Sequence, residues 1–163
     1  MKDQDRGLAR VRAFHKAFGI HEPDEPTIPE EPVNSVIETY VELAAQMAEI
    51  LKEASARAGG SVLLIRLQLI QEELAELAAG FLSRDPVECL DALVDLTYVV
   101  DGTYLVTGLS DYKEAGQAEV HRSNMSKLDA DGKPVIDDSG RVLKSDLYSP
   151  PDLARLLRKV AYA

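Results

Sequence analysis

Carboxylates at helical spacing are the residues in this chain best placed to do chemistry. The stretch Gln71 to Asp101 reads Q-E-E-L-A-E-L-A-A-G-F-L-S-R-D-P-V-E-C-L-D-A-L-V-D-L-T-Y-V-V-D and holds two helical patterns around a Ser-Arg-Asp-Pro turn. Glu72, Glu73 and Glu76 lie on the first, and Glu88, Asp91 and Asp95 on the second. At about 100° per residue the first three share an arc of roughly 100° and the second three one of roughly 60°. The second pattern is apolar almost all round, from Val87, Cys89 and Leu90 to Val99, Val100 and Leu105. Such a helix is expected to be buried, with Asp91 and Asp95 in or beside the core. Isolated ionised carboxylates are costly there, and several together repel. They must be protonated, paired with a base or bound to a cation. The basic residue of this stretch, Arg84, falls in the turn. A shared divalent cation is the economical answer, and crowded carboxylates without Cys or clustered His suit Mg²⁺ (or Mn²⁺) better than Zn²⁺.

A second cluster has the opposite character. In E-V-H-R-S-N-M-S-K, His121, Arg122, Asn124, Ser126 and Lys127 gather hydrogen-bond donors within an acidic protein. They could hold phosphate oxygens or a base edge. They could equally be cations favoured at a helix C-terminus. Glu88 has a local explanation of its own, as the third residue of a helix capped by Asp85, where a capping box would use it.

The elements that must position these groups are read as mostly helical. Residues 5–18 carry Leu8, Val11, Phe14 and Phe18 at helical spacing, stopped by Gly19. Residues 21–32 are a Pro-rich acidic linker. An extra helix in 33–60, capped by Asn34 or Ser35, ends at Gly59-Gly60. The acid-bearing helices and the donor-rich one fill 61–127, with Pro86 opening the second acid-bearing helix and Ser110 capping the donor-rich one. In 128–163, strands near 133–136 and 141–144 are expected around a D-D-S-G turn. A last short helix with Leu153, Leu156, Leu157 and Val160 follows Pro150-Pro151. All of 1–163 is read as one domain, a length that suits a sizeable core.

Hydrophobic residues make up 45% of the chain and charged residues 28%, the balance of an ordinary globular protein. No apolar run is long enough to span a bilayer, so no membrane partner is expected. A polar N-terminus and a single cysteine, Cys89, point to a cytoplasmic protein without disulfides. The net charge of −10 argues against nucleic acid as a partner. A small phosphorylated ligand stays open, because a bound metal reverses the local sign.

E-E-L-A-E followed by D-A-L-V-D-L-T-Y-V-V-D-G resembles the all-α nucleoside triphosphate pyrophosphohydrolases, whose mark is E-x-x-E on one helix and E-x-x-D on the next. Together with E-V-H-R-S-N-M-S-K, D-G-K-P and S-P-P-D-L, it is similar to the MazG-like subgroup associated with phosphoribosyl-ATP pyrophosphohydrolases. The resemblance covers about residues 61–155. It implies an all-α, MazG-like antiparallel helix bundle with a small C-terminal β-hairpin, assembled as a homodimer or homotetramer. It also implies metal-dependent hydrolysis of a (deoxy)nucleoside triphosphate to the monophosphate and pyrophosphate. The implied metal ligands are Glu73, Glu76, Asp91 and Asp95. Glu72 would orient or deprotonate the attacking water. Arg122 and Lys127 would bind phosphate, Asn124 phosphate or sugar, and Tyr98 would stack on the base or take a place in the core. One departure stands out. With Asp95 as the Asp of E-x-x-D, its Glu should occupy the position held by Ala92. Asp91, one turn before Asp95, can replace it; the alternative pairs Glu88 with Asp91. Phosphoribosyl-ATP as substrate, or a non-catalytic helical oligomer with a structural cation, are the other readings.

Overall fold

The computed structural model describes residues 5–29, 35–138 and 140–158. Six α-helices account for most of them: α1 Arg6–Phe18, α2 Ser35–Arg57, α3 Val62–Ser83, α4 Pro86–Val106, α5 Lys113–Met125 and α6 Leu153–Arg158. Residues cluster into two compact units, Pro23–Ser110 and the pairing of Met1–Glu22 with Asp111–Ala163. No helix among the described residues is long and apolar enough to cross a membrane.

In the Pro23–Ser110 unit α3 packs against both α2 and α4. Gly59 and Gly60 end α2 with φ of 68° and 85°, a left-handed stop that a Cβ would strain. Arg84 takes the left-handed position after α3 with φ of 57°. Asp85 then caps α4, its carboxylate accepting from the amides of Val87 at 2.8 Å and Glu88 at 3.4 Å. Pro86 occupies the first turn of α4, as the sequence implied. Two close approaches set α3 antiparallel to α4. A Cβ on Gly80 would stand 3.0 Å from Cys89 Sγ and 3.1 Å from its backbone N. A Cβ on Gly102 would stand 2.6 Å from Nη1 of Arg66. An apolar groove between α2 and α3 is lined by Val36, Tyr40, Leu74, Leu77 and Phe81, among others.

The expected burial of α4 is corrected. Cys89, Ala92 and Val99 are buried, whereas Val87, Leu90, Val94 and Tyr98 are 57–78% exposed. The apolar surface on α4 extends round more of the helix than one neighbour can cover, so the second apolar stripe faces outward. Asp91 and Asp95 lie beside that stripe and are exposed, not in the core.

In the other unit α1 packs on α5. Asp5 caps α1 through the amides of Gly7 and Leu8, and Gly19 ends it. Phe14 and Phe18 stack at 4.1 Å between ring centroids. Arg10 holds Glu114 with hydrogen bonds of 2.6 and 3.2 Å. Ser110–Tyr112 forms a 3-10 turn ahead of α5. The expected C-terminal strands are reduced to isolated antiparallel bridges, Leu128 with Pro134 and Ile136 with Val142. Pro134 lacks a donor, and no further strand pairs with these among the described residues, so a ladder does not extend. Parts of three expected features lie outside the described residues: 30–32 of the linker with the Asn34 cap, Ser139 of the D-D-S-G turn, and Val160 of the last helix.

Candidate active site

The acids converge on Glu73. It lies midway along α3 between the two close approaches to α4, seven residues from each. Its Oε2 is buried and has no hydrogen-bond partner. Burial, and then the negative charges of Glu76, Asp95, Glu72 and Asp91, raise its carboxyl above the usual carboxylate range. The same four acids were singled out by their spacing, and they act on Glu73 from both helices. Glu72 is half-buried, and its Oε1 accepts from Gln68 Nε2 at 3.1 Å, which holds the carboxylate from one turn back. Gln68 was missed in the sequence, although its i,i+4 spacing to Glu72 is the signal.

Glu88 stands apart. The capping-box role expected for it is not made, because the Asp85 amide donates to the Gly80 carbonyl at 3.2 Å. It is exposed, and its charge is felt at Cys89, whose thiol burial, Asp85 and Glu88 together push up. After burial and Glu76, the α4 acids that raise the Glu73 carboxyl are Asp95 and, most weakly, Asp91, not Glu88.

The donor set fits a hard divalent cation. It is all carboxylate oxygen, and one buried oxygen lacks any partner. It is not a closed cage: among the described residues no three His, Cys, Asp or Glu are already grouped tightly enough to enclose an ion. Glu73 and Glu76 from α3 with Asp91 and Asp95 from α4 are the residues that could hold one.

Arg122, Asn124 and Lys127 belong to the other unit. The Arg122 guanidinium is bonded to both oxygens of Glu119, at 3.0 and 2.8 Å, and to the Pro150 carbonyl at 2.9 Å. Glu119 also accepts from the Asp152 amide at 2.8 Å. The Arg122 bond and that amide hold the Glu119 carboxyl down at about 2. This buried acid, not marked by its spacing, ties the approach to α6 onto α5. Ser126 does the same further along, accepting from Ser149 N at 2.9 Å. Much of the donor-rich segment therefore serves its own packing. Lys127 Nζ lies 6.0 Å from the Phe14 ring centroid, and Asn124 is half-buried. Tyr98 is 78% exposed, so a core role for it is excluded in this chain.

Residues 47–124 match the model of the phosphoribosyl-ATP pyrophosphohydrolase family. They include all four acids proposed for the metal, together with Glu72, Tyr98, Arg122 and Asn124. Over those residues the chain is similar to a pyrophosphohydrolase family. The match gives residues 47–124 a pyrophosphohydrolase role, acting on the phosphoanhydride linkage of a nucleotide. A solved structure of a proposed NTP pyrophosphohydrolase from Exiguobacterium sp. 255-15 superposes with a TM-score of 0.57 and 24% identity, covering 98% of this chain and 99% of that one. At that identity it speaks for the fold, which is all-helical here as well. No curated protein matches the sequence significantly.

Proposed function

We propose that this chain is a MazG-like pyrophosphohydrolase that hydrolyses a (deoxy)nucleoside triphosphate to the monophosphate and pyrophosphate, using Mg²⁺ or Mn²⁺. The observation that carries the reading is Glu73: a buried, unpartnered carboxylate oxygen surrounded by the charges of four further acids from two helices. Such a set is electrostatically unfavourable by itself and favourable around a cation.

Glu73, Glu76, Asp91 and Asp95 would hold the ion. When bound, it would neutralise triphosphate charge and polarise the phosphorus under attack. Glu72, braced by Gln68, would orient the water and accept its proton. Water oxygen then bonds to the α-phosphorus, the α–β anhydride bond breaks, and pyrophosphate leaves. Lys127 would bind phosphate and Asn124 phosphate or sugar. Arg122 spends three of its five N–H donors on Glu119 and Pro150, so its contribution to phosphate would come through Nη1. Exposed Tyr98 is suited to stack on a base.

The family match supports a second reading, with phosphoribosyl-ATP as the substrate. Its chemistry at the α-phosphorus is the same. Product analysis separates the two: purified protein with Mg²⁺ or Mn²⁺ is given a panel of canonical and modified triphosphates, and phosphoribosyl-ATP. Monophosphate plus pyrophosphate, lost on adding chelator, is the expected result. Diphosphate plus phosphate would place the attack at another phosphorus and overturn the mechanism. Tight metal binding with no product from any compound would leave a non-catalytic helical oligomer.

A further inference from the structure

Four basic residues lie in the Pro23–Ser110 unit: Lys52, Arg57, Arg66 and Arg84. Lys52 pairs with Glu49 at 3.3 Å and Arg57 with Glu53 at 2.6 Å. Arg84 sits in the turn after α3 and has a partner. Arg66 is half-buried and has neither hydrogen bond nor ion pair among the described residues. A guanidinium partly removed from water gains by pairing with an anion.

Its position is specific. Arg66 stands seven residues before Glu73, which at about 100° per residue puts both on one stripe of α3, roughly 10 Å apart along the axis. Gly102 stands seven residues after Asp95, on the corresponding stripe of α4. The guanidinium lies against Gly102 so closely that any Cβ there would meet Nη1 at 2.6 Å. Glycine in the interior of a helix costs stability, so one that admits a side chain from the neighbouring helix has a packing reason.

We propose that Arg66, seated on Gly102, binds the β- and γ-phosphates of the substrate, the part released as pyrophosphate. This rests on the pyrophosphohydrolase reading above. The acids hold the reacting end of the chain of phosphates. Beyond them along the same seam stands a planar cation with five donors, which matches phosphate oxygens two at a time. Negative charge grows on the leaving pyrophosphate as the anhydride bond breaks, and a guanidinium there favours that step. The site serves nucleoside triphosphates and phosphoribosyl-ATP alike, because both release pyrophosphate.

The test is calorimetric binding of inorganic pyrophosphate and, separately, of a nucleoside monophosphate to the full chain with Mg²⁺, beside turnover assays. Arg66→Gln should weaken pyrophosphate about tenfold or more and leave the monophosphate within about twofold. Arg66→Lys should lose part of that affinity, keeping charge without the fork. Gly102→Ala should weaken pyrophosphate in the same direction without loss of fold, because Ala is the better helix former. The double variant Arg66→Gln/Gly102→Ala should bind no worse than Arg66→Gln alone. Wild-type protein that binds no pyrophosphate, or an Arg66→Gln that leaves it unchanged or weakens both ligands equally, would overturn the assignment. A Gly102→Ala that binds as wild type would do the same for the seat. Wild-type protein that binds pyrophosphate through Arg66 yet turns over no substrate would instead sink the catalytic reading and leave this one standing.

Discussion

Glu73 concentrates the chemistry of the proposed site in one side chain. An acid with a buried orphan oxygen, pushed toward its neutral form by burial and four like charges, opposes folding in the absence of a cation. Glu73→Gln is expected to cut metal-dependent turnover by about a hundredfold or more. Its melting temperature without metal should equal or exceed that of the native chain, because a neutral amide carries no charge into the seam. A large drop in that melting temperature would mean that Glu73 is held by a structural partner and not kept for an ion.

At the scale of elements, two contacts decide how the helices sit within their units. The Gly80 approach lets α4 lie close on α3, and the obstacle to a side chain there includes Cys89 backbone, which cannot rotate away. Gly80→Ala should destabilise the chain by about 1–3 kcal/mol, against the ~1 kcal/mol that Ala ordinarily gains over Gly inside a helix. Chemical denaturation measures it; a gain in stability would show that the helices can separate freely. In the other unit Glu119 ties α5 to the segment before α6. Its carboxyl is depressed from the ordinary 4.5 to about 2. A depressed acid contributes stability at pH above its unfolded value and loses that contribution as pH falls through its folded value. The native chain should therefore weaken between about pH 4.5 and 2, and Glu119→Gln should start weaker and show a shallower acid limb in that window. Identical acid limbs in melts of the two proteins would remove this contact from the acid response.

For the whole molecule, the exposed stripe on α4 matters most. Val87, Leu90, Val94 and Tyr98 recur at three- and four-residue spacing and present one apolar face. A contiguous exposed apolar face marks an interaction surface. The proposed homodimer or homotetramer would cover it with a second copy and would take water away from the neighbouring Asp91 and Asp95. Val94→Glu should then give a monomer at micromolar concentration by light scattering, with turnover reduced. A native chain that is already monomeric would remove the proposed assembly.

The sequence by itself determined the helices and several of their ends, because capping, proline position and glycine stops act within a few residues, although Ser110 opens a 3-10 turn and does not cap α5. Asp85 with Pro86, Gly19 and Gly59-Gly60 are all where local chemistry requires them. It also determined which acids could meet, because helical spacing fixes the face on which each stands. It overstated the hairpin, whose strands needed partners that sequence pattern does not supply. It misjudged which carboxylate would be buried: an apolar helix announces that something covers it, but not whether that is this chain or another. Only the tertiary structure chose Glu73 over Asp91 and Asp95 as the acid with a buried, unpartnered oxygen, engaged Arg122 with Glu119, and laid Arg66 on Gly102. Those outcomes depend on which faces of two helices meet and how closely, a matter of packing between residues far apart in the chain.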